Sequence, residues 1–236
     1  MAIYVTSDAH GHVRALDEAL SKISLTSDDT LYVLGDMIDR GPDPVGVIKL
    51  VRSLPNARVL KGNHEQIMLD AIIGQDPLDA ETWDINGGWT TRQQLNDMEF
   101  EAYEELVRWM ATLPLYAVAE TDERPYLLVH AGIQTEAARA FLLEHGVDCA
   151  DGAGAVDADR ALLQQMLAVQ SSDDLLWIRH GYWDAPTGLL SAEGKGPVVV
   201  SGHTPTVSLG RYCEVGGLAG LDEESGRGQI VRLGGE

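Results

Sequence analysis

Five short apolar runs in this chain end alike, in a few residues that combine small side chains with Asp, Asn or His. Ile3-Tyr4-Val5 leads into Asp8 and His10 of "SDAHG". Leu31–Leu34 leads into "GDMIDRG", Val59-Leu60 into "KGNHE", Leu127–Val129 into "HAG" and Val198–Val200 into "SGHT". Apolar runs of this length, bounded by turn residues, read as buried strands. In open α/β sheets ligands bind at the carboxyl ends of parallel strands. If these runs share a sheet, their ends bring Asp8, His10, Asp36, Asn63, His130 and His203 to one place. A lone Asp after a strand is usually a cap or turn residue. Five such endings in one chain point instead to a shared site.

The intervening segments supply helices. Val13, Leu16, Ala19, Leu20 and Ile23 recur at helical spacing and predict an amphipathic helix over 12–24. Pro44 opens a second helix, with Val47, Ile48 and Val51 as its buried stripe, and Glu65 to Ile73 is a third. The opening third therefore reads β-α-β-α-β-α, the pattern of a mainly parallel sheet covered by helices. Residues 74–112, with "WDINGGWTTRQQL" and "YEELVRWMATL", break this rhythm and read as a largely helical insertion over one end of the sheet. Strands resume at Leu115–Ala119 and Tyr126–Val129. Helices are expected over 135–145 and from Arg160 to Val169, and antiparallel strands near Val207, Tyr212 and Ile230. The acidic stretch from Asp148 to Asp159 lacks the ligand spacing of a calcium loop and reads as a connector. One domain over 1–236 is the expectation.

The strand-end set is carboxylate, amide oxygen and imidazole, without a thiolate. That mixture suits Mn²⁺, with Fe or Zn²⁺ as alternatives, better than a structural zinc site. Six candidates suit two ions roughly 3.5–4 Å apart, bridged by one carboxylate. The net charge of −20 argues against general binding to nucleic acid or an anionic membrane. It also means that an anionic substrate needs a local source of positive charge, which bound cations would supply. No apolar run approaches the roughly 20 residues of a membrane span. The N-terminus has no basic leader, and Cys149 and Cys213 read as free thiols. A cytoplasmic protein is expected.

Taken together, "SDAHG … GDMIDRG … GNHE … HAG … GHT" resembles the calcineurin-like metallophosphoesterases, specifically their phosphoprotein phosphatase branch. "NGGWTTRQ" and "WIRHGY" are similar to elements of the small bacterial and lambda-phage-type enzymes of that branch. The resemblance implies an α/β fold, a central β-sandwich flanked by α-helices in four layers. It implies that Asp8, His10 and Asp36 hold a first metal, and that Asp36, Asn63, His130 and His203 hold a second, with Asp36 bridging. Arg40 and Arg179 match the arginines that grip phosphoryl oxygens, and Asp39 and His64 the pair that handles the leaving-group proton. The segment "YCEVGGLAGLDEESG" departs from the Asp-Thr-Gly-like stretch of many relatives.

The leading expectation is a phosphomonoesterase acting on phosphoserine or phosphothreonine in proteins, and on phosphotyrosine as well, by attack of a metal-bridging hydroxide. Its partner would be a phosphoprotein or a small phosphoester. The alternative is a symmetrical diadenosine tetraphosphate hydrolase, against which the short tail speaks, because it leaves less chain for a nucleoside pocket. A third reading, a non-catalytic binding module, is disfavoured by His64, Asp39 and Arg40 standing beside the ligands. His12 and His145 read as helix-end residues, His180 as a bystander, and Trp83 and Trp89 as packing of the insertion in preference to a substrate wall.

Overall fold

The computed structural model describes residues 1–74, 76–149, 155, 157–179, 196–204 and 230–234. Along the chain run β1 (Ile3–Thr6), α1 (Val13–Ser21), β2 (Thr30–Val33), α2 (Pro44–Ser53), β3 (Ala57–Val59) and α3 (Asn63–Ile73). Three further helices follow: α4 (Pro77–Ile85), α5 (Trp89–Asn96) and α6 (Phe100–Ala111). The second half carries β4 (Tyr116–Glu120), β5 (Pro125–Val129), α7 (Thr135–Glu144), α8 (Arg160–Ala168), α9 (Ser172–Trp177), β6 (Val198–Val200) and β7 (Val231–Leu233).

The strands form two mixed sheets, ordered β3-β2-β1-β7 and β4-β5-β6. In the first, β1, β2 and β3 are parallel and β7 closes the edge antiparallel to β1. In the second, β5 pairs antiparallel with β4 and parallel with β6. Alternate residues along a strand face opposite sides, and here they sort into different cores. Leu31 and Val33 pack with the helices of the first half, while Tyr32 and Leu34 pack between the sheets. Likewise Leu127, Val129 and Val199 join α7 and α8, whereas Tyr126, Leu128, Val198 and Val200 join the inter-sheet core. Three apolar clusters thus separate four layers: helices, sheet, sheet, helices.

The ligand-bearing strands do not share one sheet. Three endings belong to the first sheet and two to the second, and the face-to-face packing brings them together. Residues 77–111 are the helices α4 to α6. The short helix α9 had no sequence counterpart, because six residues are too few to show a helical period. It is capped by Ser171, which accepts from the Asp174 N–H at 3.0 Å, and it buries Leu175 and Leu176. The strand expected near Ile230 is β7. The expectations at Val207, Tyr212, His180 and Cys213, and half of the Asp148–Asp159 connector, lie outside the described residues. Cys149 is buried, and among the described residues no helix is long and apolar enough to cross a membrane.

Candidate metal centre

The loops after β1 and β2 are laced together by their backbones. The N–H groups of Asp8, His10 and Gly11 donate to the carbonyls of Gly35, Asp36 and Met37 at 3.1, 2.9 and 2.8 Å. Gly35 has φ of 95°, and a Cβ there would lie 2.3 Å from the Gly62 nitrogen, so only glycine lets the β2 and β3 loops approach this closely. The remaining backbone is unusual. Among the described residues, the non-glycine positions with positive φ are Asp8, His10, Asp36, Asp39, Arg40 and His203. Each is one of the residues singled out from the sequence. Such residues cost of order 1–3 kcal/mol apiece, toward the low end for Asp and His, which tolerate this region best. Their summed cost is comparable to the roughly 5–15 kcal/mol net stability of a domain. Strain concentrated in this way persists because the three cores hold the surrounding strands.

Asp36 is the centre of the site. Its Oδ1 accepts from the His64 N–H at 3.0 Å, and its Oδ2 lies 3.4 Å from His130 Nε2, 3.7 Å from His10 Nε2 and 4.0 Å from His64 Nε2. Two groups of potential ligands share it: His10, Asp36 and His64, and Asp36, His130 and His203, the ligand atoms of each group lying within 4.8 Å of one another. Asn63 joins the second group, its Oδ1 standing 2.8 Å from His130 Nε2 and 3.0 Å from His203 Nδ1. Asp8 does not belong to either three-residue group. Its carboxylate accepts from the His203 N–H, at 3.2 and 3.0 Å, and so ties the β1 loop to the β6 loop.

Two rings are aimed by backbone carbonyls. His10 Nδ1 donates to Ile38 O at 2.9 Å and His130 Nδ1 to Leu34 O at 2.8 Å, which turns each Nε2 toward Asp36. This is how metal-ligating histidines are commonly oriented. His10, Asp36, Asn63, His130, His203 and Asp8 are all buried, whereas Arg40 and Arg179 are exposed. Arg40 reaches His10 Nε2 at 3.1 Å, and the Arg179 Nε–H donates to His203 Nε2 at 2.9 Å. One arginine therefore stands at each end of the two groups.

The residues fit a cation centre. Asn63 Oδ1, His130 Nε2 and His203 Nδ1 converge within 3.2 Å of each other, an arrangement of electron-rich atoms that a cation would relieve. Burial pulls His10 and His203 down to about 3, leaving neutral rings with lone pairs to offer. Burial also pulls on His130, but the Asp36 and Asp8 carboxylates outweigh it and lift the ring to about 9. The field that would hold a proton there is one that a divalent ion would neutralise. Asp36 itself would be raised by burial, yet His130 and His64 hold it well below the usual carboxylate range.

His64 and Asp39 form a separate buried pair. His64 Nδ1 is 2.7 Å from Asp39 Oδ2, and its Nε2 is buried without a hydrogen-bond partner. Burial lowers His64, but Asp36 and Asp39 together hold it above its ordinary value.

Three supporting residues were not given a site role from sequence. The Glu65 carboxylate accepts the N–H groups of Asp36, Met37 and Gly62, each at 2.8 Å, joining the β2 loop to the start of α3. Burial and the Asp36 charge push it up to about 7, against the pull of those three donors. Thr91 Oγ1 donates to Asp39 Oδ1 at 2.6 Å, and Trp83 Nε1 donates to the same carboxylate at 3.0 and 3.2 Å. Trp83 is thus a hydrogen-bond donor to Asp39 as well as a packing residue. The signal was present in "GNHE" and "NGGWTTRQQL", whose polar residues have no place in a purely packed helix.

The family profile of calcineurin-like phosphoesterases matches residues 1–225, and the chain belongs to that family. The symmetrical bis(5'-nucleosyl)-tetraphosphatase of Proteus mirabilis is 29 % identical over 220 residues, covering 90 % of this chain and 68 % of that protein. The enzyme of the same name from Erwinia tasmaniensis is 32 % identical over 136 residues, covering 56 % of this chain and 45 % of its own length. The chain thus matches about half to two thirds of these relatives. The crystal structure of a candidate diadenosine tetraphosphatase aligns with a TM-score of 0.57 at 17 % identity, covering 98 % of this chain and 92 % of that one, which supports the fold.

These relatives overturn the leading functional expectation. The curated relatives above are named as dinucleoside tetraphosphatases, which favours the alternative reading over a phosphoserine/phosphothreonine protein phosphatase with a phosphoprotein as partner. The reason is physical. The five motifs describe phosphoryl and metal chemistry, which both classes share, and contain nothing that reads the leaving group.

Proposed function

We propose that this protein is a metal-dependent hydrolase of symmetrical dinucleoside tetraphosphates. The observation that carries the reaction class is Asp36 standing between His10 on one side and Asn63, His130 and His203 on the other, with an exposed arginine on His10 and another on His203. The substrate class rests on the named relatives. Asp8, His10 and Asp36 would hold one divalent ion, and Asp36, Asn63, His130 and His203 a second, with Mn²⁺ the ion the donor set favours. When bound, two such ions supply Lewis acidity and a water acidified to near neutral pH.

The remaining work falls to side chains. Arg40 and Arg179 present planar guanidinium groups that can each hold two phosphoryl oxygens. Were His203 to ligate through Nδ1, its ring proton would sit on Nε2, which could then no longer accept from Arg179. The guanidinium would then be left for the substrate. In hydrolysis the oxygen of water bonds to one of the two central phosphorus atoms, and the bond from that phosphorus to the bridging oxygen breaks. Two nucleoside diphosphates result. His64, held by Asp39 through Nδ1 and open at Nε2, would give a proton to the departing oxygen. Residues 1–236 would act as one unit, with α4 and α5 bracing Asp39.

The test is product analysis. Metal-stripped protein reloaded with Mn²⁺ should convert diadenosine tetraphosphate to ADP alone. Formation of ATP and AMP, or no turnover, contradicts the reading.

A further inference from the structure

We infer that Trp89 and Trp177 are stacking platforms for the two nucleobases of the substrate, one at each end of the metal centre. The inference rests on the reading of the substrate as a dinucleoside polyphosphate, and deepens it.

Four tryptophans lie among the described residues, at 83, 89, 109 and 177. Trp83 is buried and Trp109 half-buried, while Trp89 is 61 % exposed and Trp177 43 %. Leaving a ring of this size in water forgoes burial worth a few kcal/mol. Single exposed apolar residues are common and need no explanation. These two are set apart by where they stand.

Trp177 ends α9, whose Leu175 carbonyl accepts from the Ala131 N–H of the β5 loop at 2.8 Å. Its ring meets that of His203 edge-on, centroids 6.2 Å apart, and Arg179 two residues later contacts the same histidine. Trp89 opens α5, and the turn before it rests on Arg40, whose N–H donates to Gly87 O at 3.0 Å. Two residues further on, Thr91 holds Asp39. Trp89 is therefore bracketed by contacts to Asp39 and Arg40.

Arg40 and Arg179 each contact a histidine of a different ligand group, His10 and His203, which Asp36 links. Each arginine has an exposed tryptophan within two or three residues of it or of its backbone contact. A symmetrical dinucleoside tetraphosphate has the same form: the reacting bond lies in the middle, charge lies on both sides, and a planar base ends each arm. Stacking suits such a substrate because any base offers a π-face, at a gain per base that corresponds to roughly tenfold or more in affinity.

The test compares two ligands that cannot be hydrolysed at the central bridge, both titrated calorimetrically into the Mn²⁺-loaded protein. One is diadenosine tetraphosphate with a methylene in place of the central oxygen; the other is methylenediphosphonate, which has the central charge and no base. Trp89→Ala and Trp177→Ala should each weaken the dinucleoside roughly tenfold or more, leave methylenediphosphonate within about twofold, and be largely rescued by Phe. Equal loss for both ligands, or no loss for the dinucleoside, overturns the inference. Product analysis separates this from the reading it rests on. If wild-type protein forms two ADP while the variants bind like wild type, stacking falls and the activity stands. If base-dependent binding needs the tryptophans but no ADP forms, the activity falls and the platforms stand.

Discussion

At the residue scale the site divides by exposure. The candidate metal ligands and the Asp39–His64 pair are buried, and the arginines are exposed while contacting His10 and His203. A buried imidazole with one nitrogen on a carboxylate and the other unpartnered is arranged to deliver a proton. How much that matters depends on the leaving group. A departing nucleoside diphosphate is a phosphate whose last proton has a pKa of about 6, so it leaves without much help. His64→Asn should therefore cost diadenosine tetraphosphate hydrolysis less than tenfold in kcat. Phenyl phosphate, a poorer leaving group, should lose on the order of 10²–10⁴. Comparing the two kcat ratios checks this; equal losses would remove the proton-donor role. Glu65 is a different case. Replacing it by Ala leaves three buried N–H groups without an acceptor, at about 1–3 kcal/mol each. A fall in Tm of many degrees, or failure to fold, is expected on thermal unfolding, whereas a neutral outcome would mean that water reaches those donors.

At the scale of elements, the helices α4 and α5 brace the loop that carries Asp39. Thr91 both donates to Asp39 Oδ1 and accepts the Asp39 N–H, at 2.6 and 3.0 Å. Thr91→Val keeps the shape and removes both bonds. It should lower kcat about tenfold with little change in KM and cost roughly 1–3 kcal/mol, while Thr91→Ser should restore most of the activity. Equal effects of Ser and Val would make the role one of packing alone. A second tie fixes the start of β1: the Asp29 carboxylate accepts from the Ala2 N–H and from the Thr26 N–H and hydroxyl, bonds that hold it down to about 2. A depressed carboxylate stabilises the fold above its unfolded value, near 3.8, and the contribution fades as pH falls through the folded value. Asp29→Asn should lower Tm at pH 7, with the gap from wild type closing between about pH 4 and pH 2. A gap that is constant across this range would contradict the assignment. Much of this scale was legible in the sequence. The strands were readable because apolar runs ending in glycine have few other uses, and the helices because Leu16 and Ala19, or Val47, Ile48 and Val51, keep a helical period. The pairing of the strands into two sheets was not legible, since it depends on which alternate faces meet. Nor was α9, which is too short to show a period. Asp8 illustrates the limit at single residues: its motif gave its neighbourhood, but the His203 N–H it accepts lies 195 positions away.

At the scale of the molecule, an acidic chain of net charge −20 is proposed to bind a polyanion. The conflict is local, and so is its resolution. Buried carboxylates and strained loops converge on a point where divalent ions would reverse the field. Metal should then contribute to stability as well as activity, since a ligand bound only by the native state raises its free energy of unfolding. Chelation should lower Tm, and added Mn²⁺ should raise it with its concentration. A Tm indifferent to both would separate the fold from the metal. The most direct measurement is the number of Mn²⁺ ions bound per chain, by elemental analysis after reloading and desalting, in wild-type protein and in Asp36→Asn. The shared position of Asp36 predicts two ions in the first and a loss of both, or of all tight binding, in the second. One ion or none in wild type, or two retained without the Asp36 carboxylate, would contradict it.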